Sequence, residues 1–246
     1  MKNELPKHGF IGCRSCYPAQ GQSHEFFNSD GSKWKIEEPN AAWGSSTPQV
    51  VVLGFSRGGN QSKPGISFDE IAFKGMRTQL GKILTALRLV GSDALDERIR
   101  ASEQHLAFGS LIRCSVSQWE DATESYSKSG NSILQKFAKG DATRLVAEQC
   151  AKNFLMNLPE ATRLVVLLGN EERYIRFCNE LIGRVRGEAR WVNSMAYDSK
   201  GVRFVHVIHA KAQGRLIPDW LAGLGSQVSK KMDATQAVQE LRLQPM

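Results

Sequence analysis

The sequence predicts an α/β protein, a three-layer α/β/α sandwich built around a central, four-stranded and mainly parallel sheet. Three observations lead to this prediction. Four short apolar runs rich in β-branched residues are typical of buried parallel strands. Apolar residues recur at helical spacing between these runs, and strands that alternate with helices form layered α/β domains. A hydrophobic content of 41% over 246 residues is enough for one sizeable core.

The four predicted strands are nearly continuous apolar runs, short enough to be strands rather than helices. They cover residues 49–55, 106–113, 163–169 and 203–209. The predicted helices show apolar residues at intervals of three and four, which places those residues on one helix face. They fall within residues 76–90, 145–158 and 174–185.

The chain is predicted to be a single domain over residues 1–246. Its beginning is rich in glycine, serine and polar residues, so we expect a loop-rich arm over residues 1–45. Residues 115–140 are polar and poorly periodic, which indicates an insertion. Residues 226–246 are expected to form a frayed helix or a tail.

Basic residues outnumber acidic ones by 32 to 25, which gives a formal net charge of +7. A basic surface favours phosphate-bearing partners through long-range attraction and counterion release, although many basic proteins bind no nucleic acid. The apolar runs are well short of the ~20 residues that span a bilayer, and the first residues lack a secretory signal. We therefore expect a cytoplasmic protein without a membrane partner, and we take it to be a monomer.

Five cysteines are present, an odd number that argues against a disulfide framework in a reducing compartment. Cys13 and Cys16 are separated by two residues, a spacing that lets two thiolates bind one metal centre. Thiolates bind both tetrahedral zinc and iron-sulfur clusters, so the pair leaves both open, and His24 could complete a zinc site. Cys178 lies on the apolar face of a predicted helix and is expected to be a core residue.

The segments that follow the predicted strands are candidates for a site, because ligands of open α/β sheets bind beyond the carboxyl ends of the strands. A glycine-rich segment, residues 54–61, follows the first strand and offers backbone N–H groups to an anion or a base carbonyl. Cys114 follows the second strand. His209 ends the fourth, and the loop after it carries Lys211 and Arg215, two charges suited to phosphates.

Five motifs in this order carry a resemblance to a known family. They are the Cys-x2-Cys pair in the arm, the glycine-led residues 54–58, the helix-opening residues 72–80, the sequence Ser-Leu-Ile-Arg-Cys at residues 110–114 with Cys150 on the next helix, and His209 at the last strand. They resemble the C-x2-C, GEAPG, Pro-Phe-x-Gly-x-x-Gly, TNxVKC and His-Pro-Ser motifs of the iron-sulfur branch of the uracil-DNA glycosylases. That branch is known best from prokaryotes. The resemblance covers roughly residues 10–220.

The resemblance implies a 4Fe-4S cluster with four cysteine ligands. The implied ligands are Cys13, Cys16, Cys114 and Cys150. Considered without the family, a structural zinc ion is the alternative, and Cys114 and Cys150 are also compatible with ordinary buried cysteines.

The resemblance also implies hydrolysis of the N-glycosidic bond of a base that is flipped out of single- or double-stranded DNA. His209 would donate a hydrogen bond to the departing base, and Ser56 or Asn60 would orient the attacking water. The other implied residues contact the base or the DNA backbone. Base contacts are expected from Gly54, Phe55, Phe73 and Ser110, and DNA contacts from Lys211 and Arg215.

The chain departs from the family's motifs at three points. Phe55 stands where the glycine-led motif has glutamate, Ser110 stands where the family has the asparagine that reads uracil, and Ala210 and Lys211 replace Pro-Ser. The expected substrate is therefore a deaminated or modified base other than uracil, removed in base-excision repair or in defence against foreign DNA.

Two other functions remain open from the sequence. One is a non-catalytic DNA-binding protein on the same scaffold, in which the cluster is a structural staple. The other is a zinc-stapled α/β hydrolase of a small molecule with His209 as its base, although the chain has no G-x-S-x-G nucleophile motif. His209 and Phe73 are also compatible with core positions.

Overall fold

A large mixed β-sheet with helices packed against it forms the centre of the structure. The computed structural model describes residues 3–17, 23–39, 41–57, 67–91, 95–127 and 130–243. Within these residues the sheet has eleven strands. The α/β class predicted from the sequence is confirmed.

The strands differ widely in length, from two residues to fifteen. They are β1 (Gly9–Phe10), β2 (Ser23–Phe27), β3 (Lys33–Pro39), β4 (Ala41–Gly44), β5 (Val50–Arg57), β6 (Leu106–Glu120), β7 (Ser125–Ser127), β8 (Leu164–Leu168), β9 (Arg190–Asn193), β10 (Ala196–Ser199) and β11 (Val202–Val207). The helices come after β5, β7, β8 and β11 along the chain. They are α1 (Phe68–Ile71), α2 (Arg77–Ala86), α3 (Gly130–Phe137), α4 (Asp141–Phe154), α5 (Glu172–Arg186), α6 (Leu216–Ala222) and α7 (Val228–Gln239), with a short 3₁₀ helix at Gly225–Gln227.

The sheet is larger and more mixed than the predicted sheet of four mainly parallel strands. Its strand order is β1-β4-β6-β5-β8-β11-β10-β9, with β3 and β7 also paired to β6, and β2 paired to β3. The pairings β6–β5, β5–β8 and β8–β11 are parallel. The remaining pairings in the described residues are antiparallel and outnumber the parallel ones. The apolar runs thus identified strands buried on both faces, and the half-exposed strands around them escaped prediction.

The arm and the insertion contain strands that the sequence analysis missed. Residues 1–45, predicted to be loop-rich, hold β1 to β4. Residues 115–140 continue β6 to Glu120 and then form β7 and α3. The sequence Lys-Trp-Lys-Ile-Glu at residues 33–37 alternates polar and apolar side chains, the signal of a half-buried strand, and Trp34 and Ile36 are fully buried. Residues 226–246, expected to form a frayed helix or a tail, contain α7, a packed helix that buries Ala234, Ala237 and Val238.

Two hydrophobic cores receive alternate residues of β5. Val50 and Val52 belong to a core with residues of α2, α6 and α7. Val51 and Leu53 belong to a second core with residues of α3, α4 and α5. Successive side chains of a strand point to opposite faces, so both faces of β5 are covered, and its uninterrupted valines are explained by burial on both sides.

Gly44 ends β4 at a place where the backbone and the space both require glycine. Its φ is +85°, and a Cβ at this position would lie 2.3 Å from the carbonyl oxygen of Leu106 on β6. Gly31, in the turn between β2 and β3, has a similar φ of +81° but no atom within 4 Å of such a Cβ. Alanine at Gly31 therefore has only the free-energy cost of the backbone conformation, whereas alanine at Gly44 has the cost of the clash in addition.

We expect Gly44→Ala to destabilise the protein more than Gly31→Ala does. Gly31→Ala should cost about 1–2 kcal/mol, the penalty of a left-handed conformation for an L-residue. Gly44→Ala should cost about 1–3 kcal/mol more, because backbone must move to relieve the contact. Urea unfolding of both variants measures the difference, and equal losses would contradict the close approach of β4 to β6.

Candidate functional site

The structure brings four of the five cysteines together from distant parts of the chain. Cys13 and Cys16 lie half-buried between β1 and β2, and Cys114 on β6 and Cys150 on α4 are buried. Cys16 interacts electrostatically with Cys13 and Cys114, and Cys150 with Cys114 and Cys16. These are the four positions expected to be metal ligands, and we call them the cysteine cluster. Cys178 lies elsewhere, fully buried on α5.

Burial raises the pKa of three thiols of the cysteine cluster, those of Cys16, Cys114 and Cys150. Burial, and then the charges of Cys114 and Cys13, raise the pKa of Cys16 to about 11. Burial likewise raises the pKa of Cys150 to about 12, and it raises the pKa of Cys114. As free thiols these groups are therefore protonated at neutral pH. A metal would replace their protons and compensate the thiolate charges that burial disfavours.

Two of the four sulfur atoms have N–H donors beside them. The backbone N–H of Arg113 donates to Cys150 Sγ at 3.2 Å. The Asn153 side-chain amide lies 3.7 Å from Cys13 Sγ and donates to Ser15 Oγ at 2.9 Å. N–H donors to sulfur are typical of thiolate metal centres, where they orient the ligands and stabilise their negative charge.

A zinc ion and a four-iron cluster require different arrangements of thiols. In the described ranges, no three Cys, His, Asp or Glu side chains converge closely enough to share one metal ion. A zinc ion binds its sulfurs about 2.3 Å from a single point, whereas a four-iron cluster gives each thiolate an iron of its own and accepts a wider spacing. His24, the suggested additional zinc ligand, stacks on Phe26 at 5.6 Å between ring centroids.

Three of the predicted base-contacting residues lie together on one face of the sheet, where β5 pairs with β6. Gly54 on β5 pairs in register with Ser110 on β6, and Ser110 is buried. A Cβ added to Gly54 would lie 3.8 Å from Cε1 of Phe73, so the glycine faces that aromatic ring. Gly54, Phe73 and Ser110 thus pack together on one face of the sheet, and all three are buried.

Phe55 and Phe73 lie on opposite faces of the sheet. Phe55 is half-buried, and its ring meets those of Phe137 and Tyr174 edge-on, at 5.3 and 6.1 Å between centroids. Phe73 belongs to the α2-side core and meets Phe108 at 6.0 Å. The alternation of side chains along β5 causes this separation, because Gly54 faces Phe73 and the next residue must face away. The two phenylalanines therefore cannot contact one planar base together.

The segment that carries Phe73 is strained and lies beside a cleft. Phe73 is only 5% exposed, and its φ of +51° is rare for a residue other than glycine. Such conformations persist only where the surrounding structure enforces them, and they are frequent at functional sites. A cleft of about 470 Å³ runs along the next residues, between Glu70 and Gln79. A stacking role requires the Phe73 ring to become accessible from this side.

His209 follows β11 and is held as a neutral imidazole. Its Nδ1 accepts the backbone N–H of Lys211 at 3.1 Å, so the neutral ring carries its proton on Nε2. Burial, and then the charge of Lys211, lower the pKa of His209 to about 4. Nε2 is therefore a hydrogen-bond donor at neutral pH. The side chains of Lys211 and Arg215 are exposed, and Arg215 pairs with Asp219 at 3.5 Å.

No protein-family model and no curated protein sequence matches the chain. Within the described part of the chain, none of the helices has the length and apolar composition that a bilayer crossing requires.

Asn60, proposed to orient water, lies outside the described residues. Ser56, the alternative, lies near the end of β5 and is half-buried.

Asn170 is a residue at this edge to which the sequence analysis assigned no role. It follows β8 as His209 follows β11, and it is buried. Its amide donates to Gln227 Oε1 at 2.8 Å, and its carbonyl accepts the Lys230 ammonium at 3.0 Å. Gln227 and Lys230 belong to the segment predicted to be a tail, so no signal in the sequence connected them to the sheet edge.

His206 on β11 fixes the turn that leads to Asn170. Its Nδ1 lies 2.9 Å from the carbonyl oxygen of Gly169, which can only accept, so the ring donates there. Gly169 has a φ of +144°, and a Cβ there would lie 2.6 Å from the Tyr174 ring. His206 is fully buried, and burial lowers its pKa to about 4. The histidine therefore stays neutral and keeps this hydrogen bond at neutral pH.

The buried His206 predicts a loss of stability in mild acid. Its folded-state pKa of about 4 is below its ordinary value of 6.5, so the unfolded chain binds a proton first as the pH falls. Its contribution is fully present above pH ~6.5, decreases below it, and levels off near pH ~4. We expect His206 to account for a loss of about 2 kcal/mol between pH 7 and pH 5. Urea unfolding should show this loss reduced in His206→Gln and unchanged in His105→Gln, an exposed control. Equal pH dependence in His206→Gln and the parent would contradict a buried neutral histidine.

Trp119 and Tyr126, two aromatic residues of the predicted insertion, contact each other and two lysines of β3. The rings of Trp119 and Tyr126 meet edge-on at 5.2 Å between centroids. Lys33 Nζ lies 5.3 Å from the Trp119 centroid, and Lys35 Nζ lies 5.4 Å from that of Tyr126. Lys33 also pairs with Glu25 at 2.9 Å. These groups stabilise one another and attach β7 to β6 and β3, so we assign them a structural role.

Proposed function

We propose that the protein is an iron-sulfur DNA glycosylase of the uracil-DNA glycosylase type, which removes a deaminated or modified base from DNA. The observation that carries this proposal is the gathering of Cys13, Cys16, Cys114 and Cys150 from an N-terminal segment, a strand and a helix. The motif resemblance named the same four residues as ligands of one cluster. A metal centre shared by four thiolates requires this kind of convergence.

The fold arrangement that we propose is the three-layer α/β/α sandwich of this family, with the parallel strands β6, β5, β8 and β11 at its centre. The alternation along β5 supports it, since neighbouring residues enter two separate cores with different helices. In this proposal, β1 to β4 and β7 are additions around the parallel strands.

The group proposed for the cysteine cluster is 4Fe-4S, with zinc as the alternative. All four proposed ligands are thiols, and Cys13 and Cys150 have N–H donors beside their sulfur atoms. When bound, the cluster supplies a covalent cross-link among the arm, β6 and α4. Cys114 lies four residues beyond Ser110 on the same strand, so this cross-link also holds the base-contacting end of β6.

The proposed reaction breaks the bond between the sugar C1′ and the base nitrogen, and the base leaves with the bonding electrons. His209 Nε2–H donates to the base oxygen on which negative charge develops, and this donor is present in the neutral ring. Backbone groups beside Gly54 contact the base from the sheet edge. Ser56 or Asn60 orients the water whose oxygen attacks C1′ and whose proton is released.

DNA contacts are proposed for Lys211 and Arg215, which lie exposed in the loop after His209. The net charge of +7 supports attraction to a phosphate backbone. The side chain of Phe55 cannot activate water, and Ser110 cannot make the paired amide contact with uracil. A modified base is therefore proposed as the substrate. We also propose a cytoplasmic location and a monomeric state.

A non-catalytic DNA-binding protein on the same scaffold is the second candidate. The observation that favours it is the 5% exposure of Phe73, since a stacking platform must be accessible to a base. In that case the cluster would be a structural staple and DNA would bind without being cut.

The test begins with protein purified without oxygen, whose visible absorbance and contents of iron, sulfide and zinc are measured. About four irons per chain support the cluster. The same protein is then incubated with single- and double-stranded DNA carrying a panel of deaminated and modified bases, and abasic sites are counted. Binding that weakens steeply with salt but yields no abasic sites would favour the second candidate. Protein without iron, or with zinc only, would contradict both.

A further inference from the structure

Arg113 is a buried positive charge with unsatisfied donors. It precedes Cys114 on β6, and its side chain is nearly inaccessible, with 3% of the residue exposed. Its Nε and Nη1 atoms are buried and have no hydrogen-bond partner among the described residues. Buried charges are normally paired, because an isolated ion loses its hydration without compensation.

The fold makes room for this guanidinium beside the cysteine cluster. A Cβ on Gly109 would lie 1.9 Å from Nη1, so a glycine is needed there for the arginine to fit. The guanidinium lies over the Phe154 ring at 5.2 Å, and Phe154 is one helical turn beyond Cys150 on the same face of α4. The guanidinium also interacts electrostatically with the Cys150 thiol.

The guanidinium of Arg113 needs a negatively charged partner, and the thiols of the cysteine cluster lie on the side where such a partner would bind. Neutral thiols do not supply one, whereas a metal centre held by four thiolates has net negative charge. We propose that Arg113 is the buried counter-charge of the metal-thiolate centre formed by Cys13, Cys16, Cys114 and Cys150. Arg113 is thus a positioning and charge-balancing residue rather than a ligand, and this inference rests on the proposed function.

Arg113→Met tests the proposal because it removes the charge while keeping much of the side-chain length. We expect the loaded variant to release iron to a chelator about 10-fold to 100-fold faster than the parent, the usual effect of losing a partner of metal ligands. We expect the metal-free variant to need at least as much urea for unfolding as the metal-free parent, because a buried charge without a partner has been removed. Arg113→Lys, which keeps the charge, should retain iron far better than Arg113→Met.

Arg186→Met is the matched control. Arg186 is equally buried, and its Nε also has no hydrogen-bond partner among the described residues. Its Nη1 and Nη2 atoms, however, donate to the carbonyls of Met156 and Ser199, so its loss should destabilise loaded and metal-free protein alike. A parent protein without iron would overturn the proposed cofactor and this inference together. A parent that holds iron, with Arg113→Met releasing it at the parental rate, would overturn only the role of Arg113. Destabilisation of the metal-free Arg113→Met protein would do the same.

Discussion

Replacing Cys114 with serine is expected to abolish the visible absorbance of the protein and to reduce its iron content from about four atoms per chain to almost none. Cys114 lies buried on β6 and interacts electrostatically with Cys13 and Cys16 of the arm, so its loss removes one of the four proposed ligands. A serine hydroxyl is a poor ligand for iron because it remains protonated at neutral pH. Iron and sulfide analysis and the absorption spectrum of protein purified without oxygen measure the effect.

Cys178→Ala provides the control for this variant. Cys178 is fully buried on α5, in the same core but apart from the cysteine cluster, so its replacement should leave the iron content unchanged. Burial raises the pKa of Cys178, and the thiol interacts with Tyr174 rather than with the other cysteines. Retention of iron by Cys114→Ser, or its loss from Cys178→Ala alone, would show that the ligands have been assigned incorrectly.

Replacing His209 with alanine is expected to lower the rate of abasic-site formation by about 10²-fold to 10³-fold, the usual effect of removing one donor to a developing oxyanion. The neutral ring, with Nδ1 engaged by Lys211, offers only its Nε2 proton, and alanine offers none. The measurement is the single-turnover rate on a modified-base DNA that the parent cleaves. DNA affinity, measured in the same experiment, should change little.

The pH dependence provides a second check on His209. Since burial lowers its pKa to about 4, the ring stays neutral and the cleavage rate should be flat with respect to this group between pH 5 and pH 8. A rate that rises as the pH falls through 6 would require a protonated histidine. His105→Ala, which changes an exposed histidine, should cleave at the parental rate. Parental cleavage by His209→Ala would exclude His209 from the reaction.

The sequence predicted the elements whose signals are local. Val50 to Leu53 predicted β5, because only a strand covered on both faces uses so many consecutive apolar residues. The Cys-x2-Cys spacing indicated a metal-binding pair, and the motif resemblance added Cys114 and Cys150; that these four are ligands stays a prediction. Helical spacing predicted α5, where Tyr174, Cys178 and Leu181 are buried.

Features that depend on packing could not be predicted. Trp34 and Ile36 alternate with charged residues over a stretch too short to stand out from the polar arm. Phe55 points to one face of the sheet, and Phe73 packs against the other. The sequence does not specify which face of the sheet Phe73 contacts, because a loop separates Phe73 from β5. The burial of Arg113 depends on the space left by Gly109 and on the ring of Phe154, which the sequence does not place beside it. An arginine in a sequence ordinarily indicates surface.

The length of β6 has a consequence for how the protein opens. Its first half pairs in parallel with β5, its second half pairs with β3 and β7, and Cys114 lies between the two. One continuous strand cannot leave the parallel strands without weakening the antiparallel ones. Amide hydrogen exchange at Ser110 and at Val116 should therefore report one opening event with one free energy. Damage to the cysteine cluster would then also destabilise the antiparallel strands β3 and β7, because they open together with β6.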